Sequence, residues 1–262
     1  PFIDRYEPDD VLILSGDHIY KMDYARMIAF HKENGADCTI AVRSVPLEEA
    51  SRFGIMNTNE DGSVYEFEEK PKKPKSTNAS MGIYVFRWDV LRRFLIADEE
   101  DPKSSNDFGK NVIPAMLDAG LKLFAYRFDS YWKDVGTIRS LWEANMDLLG
   151  AEPAFNLGGK DRIYSRNPAM AGARLSTTSV TANCLIAEGC EIDGTVRSSV
   201  VSCGCIVAEG AEVENSVLMP DVVVSPGAVV KNAIVGEGTV IGDGAQVGAA
   251  QVLRDEADRQ IT

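Results

Sequence analysis

One repeat restricts what this chain can fold into more than any other feature. "RSSVV" begins at residue 197, "ENSVL" at 214 and "KNAIV" at 231, so the same pattern returns twice at a spacing of 17 residues. Within each turn apolar residues recur every six positions, as in Leu218, Val224 and Val230, or Val235, Ile241 and Val247. "EGAEV", "PGAVV" and "GDGAQV" place glycine between the runs. Short strands that meet at tight bends, three to a turn, make a triangular parallel β-solenoid, and each coil hides its apolar side only against its neighbours. An ordinary glycine-rich sandwich does not generate two equal repeats. A less regular turn starts near "NCLI" (183–186). The solenoid is expected over 176–250, followed by a charged tail at 251–262.

Residues 1–150 have a different rhythm. Val11–Leu14 is a continuous apolar run, expected to form a strand covered on both faces, which stops on Gly16-Asp17-His18 and turns straight into a helix. Asp23 is a good N-cap, and Tyr24, Met27, Ile28 and His31 keep helical spacing up to Gly35. Residues 37–45 alternate as a strand, and two β-rich runs joined through Asp61-Gly62 read as a hairpin. A strand over 79–86 leads into a helix from about Trp88, Asp107 caps a short helix, and 122–128 is another strand. "TIRSLWEANMDLLG" is amphipathic, with Ile138, Leu141, Trp142, Asn145, Leu148 and Leu149 on one side. Strands alternating with helices predict a doubly wound α/β sheet. Residues 151–175, rich in Pro, Gly and charge, read as a linker.

The formal net charge of −13 argues against a nucleic-acid or anionic-membrane binder, which needs a basic stripe. No apolar run of ~18 residues and no basic-then-apolar leader occur, and five cysteines without framework spacing suit a reducing compartment, so a cytoplasmic protein is expected. Cys184, Cys190, Cys203 and Cys205 invite a zinc reading. No histidine accompanies them, and small buried hydrophobes are the better expectation.

Several residues have the types and positions that chemistry needs. Asp17 lies beyond a strand's carboxyl end, where open α/β sheets bind ligands, and a hard oxygen donor there suits Mg²⁺ bridging to phosphate. Without a ligand it is a turn residue. Lys70 comes after a hairpin strand and precedes Pro71, and its ammonium suits a phosphate, while Glu69 can accept hydroxyl hydrogen bonds from a sugar. Asp134 lies between a strand and a helix entered through Gly136 and Thr137, so Asp17 and Asp134 can grip one divalent ion. Trp132 suits a sugar face or a core position equally well. Ser80 and Gly82 stand at a strand entrance, where a hydroxyl and bare backbone can meet a sugar.

Taken together, "SGDHIYKMDY", "FEEKPKKPKSTNASMGIYVF", "NDFGKNVIPAM" and "YWKDVGTIRSLWEANMDLL", with a hexapeptide solenoid after them, resemble the bacterial glucose-1-phosphate adenylyltransferases from about residue 8 onward. The resemblance implies a nucleotidyltransferase domain over 1–150 and a left-handed β-helix over 176–250. It implies transfer of the adenylyl group of ATP to glucose 1-phosphate, giving ADP-glucose and pyrophosphate for glycogen synthesis. It further implies Mg²⁺ as cofactor, a homotetramer and an allosteric metabolite. By motif, Asp17 and Asp134 match the family's metal-binding and catalytic carboxylates, and Lys70 matches the lysine that holds the sugar phosphate. Glu69 and Ser80 match glucose contacts. The family's Gly-rich triphosphate loop precedes the position of Asp17, and no such stretch occurs in these 262 residues. On that resemblance the chain is expected to be the carboxyl-terminal part of the enzyme, with a partial nucleotidyltransferase domain and little activity alone.

Three other readings compete. A hexapeptide acyltransferase needs a histidine in its repeats, and both histidines, His18 and His31, precede them. A non-catalytic regulatory subunit is expected to have lost Asp17, Lys70 or Asp134, and all are present. A related sugar-1-phosphate nucleotidyltransferase with another base remains open.

Overall fold

The structure, a computed structural model, describes residues 2–158, 163–165 and 168–248. The expected charged tail at 251–262 lies outside the described residues, as do 249–250 of the solenoid and 159–162 and 166–167 of the linker. Two compact units form: Pro1–Gly16 with Met22–Ser130, and Asp17–Lys21 with Tyr131–Thr262. Before the repeats the elements are β1 (Asp10–Ile13), β2 (His18–Tyr20), α1 (Tyr24–Glu33), β3 (Cys38–Ser44), α2 (Leu47–Ala50), β4 (Gly54–Thr58) and β5 (Val64–Glu69). Next come β6 (Asn78–Arg87), α3 (Trp88–Glu100), α4 (Ile113–Asp118), β7 (Leu123–Arg127), β8 (Trp132–Asp134) and α5 (Ile138–Met146).

In the first unit the sheet runs β5-β4-β6-β3-β7, and β1 pairs with β6. β3 is parallel to β7 and antiparallel to β6. Alternation along β3 shows why helices cover both faces. Thr39 shares a hydrogen bond of 2.8 Å with His31 of α1, whereas Cys38, Ile40 and Val42 pack with Val90 and Leu91 of α3 and Ile113 and Met116 of α4. This is the doubly wound layering expected from the alternating elements. Asp23 caps α1 by accepting from the Ala25 amide at 3.0 Å, and Gly35 leaves the helix at φ 53°.

Three local expectations need correction. β1 is half-exposed along its whole length and ends at Ile13, with Leu14 44% exposed. It pairs with β6 alone among the described residues, which makes it an edge strand, and its half-exposed side chains lack the cover on both faces that the apolar run predicts. The chain does not turn from β1 straight into a helix, because β2 intervenes and pairs with β8. Asp107 does cap a helical segment, accepting from the Lys110 amide at 2.9 Å, but that segment, Phe108–Val112, is a π-helical turn that only then tightens into α4.

The second unit carries the solenoid. Its strands are β9 (Arg174–Leu175), β10 (Val180–Ala182), β11 (Leu185–Ile186), β12 (Glu191–Ile192), β13 (Thr195–Arg197), β14 (Val200–Val201) and β15 (Ile206–Val207). They continue as β16 (Glu212–Glu214), β17 (Val217–Leu218), β18 (Val223–Val224), β19 (Val229–Lys231), β20 (Ile234–Val235), β21 (Val240–Ile241) and β22 (Gln246–Val247). They stack in three parallel sheets of five, four and five strands. The register sets three inner columns: Ile192, Val207, Val224, Ile241; then Val196, Val213, Val230, Val247; then Ile186, Val201, Leu218, Val235. Each fully buried valine or isoleucine there contributes about 1.5–3 kcal/mol of transfer free energy.

The second residue of the repeated motif explains its chemistry. Ser198, Asn215 and Asn232 turn a corner with left-handed φ of 45°, 51° and 51°, which asparagine tolerates best among residues with a side chain. Next to them Ser199 and Ser216 are fully buried, and their hydroxyls accept the Ser216 and Ala233 amides of the following coil at 3.1 and 3.2 Å. Cys190 and Cys205 are core residues, and their thiols donate to the Ser202 and Met219 carbonyls at 3.0 and 3.1 Å. Ile138 departs from the expected apolar face of α5, being 58% exposed, while Trp142 donates to the Asn215 carbonyl at 2.9 Å. No helix among the described residues is long and apolar enough to cross a membrane.

One coil breaks the 17-residue period. Glu191 stands beside Ile206 and Val180 beside Thr195, offsets of 15 residues. The shortening lies at the corner between β12 and β13, which holds only Asp193 and Gly194, where the next coil uses 208–211. A Cβ on Gly194 would lie 2.5 and 2.6 Å from the Ala211 and Ala208 carbonyl oxygens and 3.1 Å from a Val207 methyl. Backbone on two sides cannot move aside as a side chain can. Gly194→Ala is therefore expected to destabilise the solenoid by about 1–3 kcal/mol, the usual cost of overpacking. Gly242→Ala, which meets nothing within 4 Å, should leave the urea midpoint read by far-ultraviolet circular dichroism unchanged.

Candidate functional site

Asp17, Asp134 and Trp132 belong to the second unit, and Glu69, Lys70 and Ser80 to the first. In the second unit β2 and β8 form a two-stranded antiparallel ribbon in which His18 faces Asp134, Ile19 faces Lys133 and Tyr20 faces Trp132. The Val135 amide donates to the Asp17 carbonyl at 3.1 Å and so extends the ladder to Asp17 itself. Directly opposed residues share a face, which puts His18, Asp134, Tyr20 and Trp132 on one side. Tyr131 and Lys133 fall on the other, where both reach Asp147 just beyond α5, at 2.7 and 2.8 Å. Burial pushes the Tyr131 phenol well above its ordinary range, with Asp147 adding to the shift.

The ribbon brings the two expected carboxylates together. One ligand atom each from Asp17, His18 and Asp134 lie within 4.8 Å of one another. His18 Nε2 stands 3.7 Å from Asp17 Oδ1, and its ring meets Trp132 edge-on at 5.2 Å. Asp134 Oδ1 accepts the Gly136 amide at 2.9 Å, which fixes the carboxylate ahead of the Thr137 cap of α5. A Cβ on Gly136 would stand 3.2 Å from Asp134 Oδ1 and 4.0 Å from Asp17 Oδ2, so glycine keeps this side of the pair clear. Ligand atoms at about 2.0–2.2 Å from a divalent ion lie up to about 4 Å apart across it, so the three groups need to close in by less than about 1 Å. Two carboxylates and an imidazole therefore fit a divalent cation.

In the first unit Glu69 ends β5, and Lys70 comes next in the left-handed conformation at φ 46°. A lysine held there departs from the conformation L-residues prefer, and such departures concentrate at working sites. The Lys70 amide is held by the Phe53 carbonyl at 3.1 Å, while its side chain is 62% exposed, with Nζ 3.8 Å from Glu69 Oε1. Glu69 is packed tightly from behind. A Cβ on Gly109 would lie 2.7 Å, and one on Gly54 3.1 Å, from Glu69 Oε2. Burial raises the Glu69 carboxyl above its ordinary value; Lys70 and Lys110 oppose this and Asp107 reinforces it.

Ser80 on β6 has its hydroxyl 3.5 Å from the Tyr84 hydroxyl and within 3.3 Å of the Gly82 amide, and burial pushes the Tyr84 phenol up to about 12. Gly82, at φ 66°, sits where β6 spends two more residues than β3, and the bulge by itself calls for a glycine here. Trp132 is half-buried against His18. Sequence reasoning gave no role to His18, Gly109, Lys110 or Tyr84. "GDH" together with "KDVG" carries a signal for His18, but only once β2 is known to pair with β8. Among the described residues no cysteine joins a possible metal-binding group.

Two family models match the chain: nucleotidyl transferase over residues 2–150, and the GlmU-like C-terminal hexapeptide over 169–261. A glucose-1-phosphate adenylyltransferase of Clostridium perfringens (strain SM101) is 56% identical over 224 residues, 85% of this chain and 58% of that protein. One of Clostridium botulinum (strain Alaska E43) is 59% identical over 201 residues, 76% of this chain and 52% of that protein. One of Acetivibrio thermocellus is 50% identical over 224 residues, 85% and 53% respectively. The chain thus spans about half the length of the curated relatives it matches.

Ionised Glu69 should cost the fold stability at neutral pH. Its folded value is raised above the ordinary 4.5, so the folded chain keeps this proton to higher pH than the unfolded chain. Its favourable contribution is present below the ordinary carboxylate range and is lost as pH rises through the raised value. Glu69→Gln is expected to raise the urea midpoint at pH 7, and the gain should vanish below pH ~4, where both states are protonated.

Proposed function

We propose, on the premise that the chain belongs to the nucleotidyl transferase family, that it is part of a glucose-1-phosphate adenylyltransferase. The reaction joins ATP and glucose 1-phosphate into ADP-glucose with release of pyrophosphate, and supplies glycogen synthesis. Support comes from the names and identities of the relatives, and the observation that carries the reading is the pairing of β2 with β8, which sets Asp17 beside Asp134. The cofactor is Mg²⁺, held by Asp17 and Asp134.

A phosphate oxygen of the sugar phosphate attacks the α-phosphorus of ATP in line, the bond to the β-phosphate oxygen breaks, and pyrophosphate carries that electron pair away. A bound divalent ion supplies neutralisation of the charge that builds on the phosphates. The chain's own residues supply position. Lys70, extended from a fixed backbone and exposed, offers a point charge to the sugar phosphate. Glu69, with one oxygen pressed against Gly109 and the other near Lys70, accepts hydroxyls of the glucose ring, and Ser80 adds a donor or acceptor. Trp132 offers a flat apolar face to substrate. No nucleophile or general base on the protein is needed, because a phosphate oxygen is already ionised at neutral pH. The homotetramer, the allosteric metabolite and the cytoplasmic location belong to the same proposal.

Calorimetry with glucose 1-phosphate and Mg²⁺, with pyrophosphate release from ATP measured in parallel, tests the reading. Lys70→Ala should weaken glucose 1-phosphate by about 10- to 100-fold, the equivalent of about 1.5–3 kcal/mol for a hydrogen bond to a charged group. Glucose 1-phosphate held equally well by Lys70→Ala, or no preference for it over glucose, would sink the assignment.

A further inference from the structure

The geometry points to His18 as a third protein ligand for ions that accept nitrogen, Mn²⁺ and Co²⁺, which the Asp17–Asp134 site then holds more tightly than the Mg²⁺ that serves as its cofactor. This rests on the reading of Asp17 and Asp134 as metal ligands and goes beyond it. Antiparallel register places His18 directly opposite Asp134, so the two side chains leave the ribbon on one face. Asp17 is the adjacent residue in the chain, and His18 Nε2 lies 3.7 Å from its Oδ1. The edge-on contact with Trp132 holds the ring in that orientation. His18 is also largely buried, its side chain 11% exposed against 59% for Asp17, so the imidazole forms the inner wall of the group and the carboxylate its solvent side. Among the described residues this is the one group of three donors arranged to share an ion.

The donor set decides the preference. Mg²⁺ takes oxygen ligands and keeps several waters, and gains little from a nitrogen. First-row transition ions bind imidazole well and rise in affinity from Mn²⁺ to Co²⁺. Two carboxylates alone would rank these ions closely, and an imidazole separates them.

Mn²⁺ binding to the full chain tests this, with free ion read by electron paramagnetic resonance and bound ion by electron spin echo modulation from nitrogen. The wild-type chain should show a directly coordinated ¹⁴N and bind Mn²⁺ more tightly than Mg²⁺ in competition. His18→Gln and His18→Ala should each lose the ¹⁴N signal and tenfold or more in Mn²⁺ affinity, since even partners one step removed from a metal change affinity by about 10- to 100-fold. Their Mg²⁺ affinity should change little. Circular dichroism of both variants guards against misfolding. Bound Mn²⁺ without ¹⁴N coupling, and equal affinity in His18→Gln, would overturn the inference, while loss of binding in Asp17→Asn would leave the carboxylate reading standing. Mn²⁺ binding that is absent from the wild type, or indifferent to both Asp17→Asn and Asp134→Asn, would overturn the two together.

Discussion

The metal-binding part of the chemistry proposed for this chain depends on a three-residue pairing. β2 and β8 come from points more than a hundred residues apart, and only their ladder sets Asp17 beside Asp134. A two-stranded ribbon of this length has almost no stability in water by itself. It persists because each of its faces is tied down. Tyr131 and Lys133 bind Asp147 on one side, Lys133 also reaches Glu143 of α5 at 3.5 Å, and His18 and Trp132 interlock on the other. The same alternation that sends two residues to α5 sends Asp134 and His18 away from it. Anchoring and the proposed metal ligand are thus divided between odd and even positions of one short segment.

The first unit shapes its candidate site by a different device, close packing against glycine. Gly54 on β4 and Gly109 in the π-helical turn each lack the atom that would strike Glu69 or Phe67; a Cβ on Gly54 would lie 2.5 Å from the Phe67 ring. With both glycines in place Glu69 is pressed into a partly buried position that raises its proton affinity. Lys70 is then carried outward by a left-handed backbone that a free peptide would avoid at a cost of about 1–2 kcal/mol. A wide turn of helix, a partly buried carboxylate and a non-glycine residue at positive φ are local departures from what stability favours. Their meeting at one strand end is the pattern expected where a protein gives up stability for a site.

Much of this was legible in the sequence, and the rest was hidden for physical reasons. The solenoid announces itself because one coil after another must fill the same interior, which writes Leu218, Val224 and Val230 at intervals of six residues. Asp23, Gly35 and the Asp61-Gly62 turn are local signals and were readable as such, with Gly62 at φ 83°. The short coil at Gly194 was not, because two missing residues at one corner look like noise against a 17-residue period until the register is seen. β1 misled for the opposite reason. An apolar run reports affinity for a covered position, not the presence of cover, and β1 finds one neighbouring strand among the described residues.

The site residues divide along the same line. Asp17, Lys70 and Asp134 stand in long motifs whose wording carries them individually, so each could be named without knowing what it touches. His18 and Gly109 stand in those same motifs and went without a role, because theirs are relational. His18 matters through the residue opposite it across a ribbon, and Gly109 through the carboxylate that occupies the space its Cβ would take. Neither relation has a sequence spacing of its own, since His18 and Asp134 are brought together only by folding. A histidine beside an aspartate is an everyday dipeptide, and it becomes a three-donor group only because β8 ends on a second carboxylate.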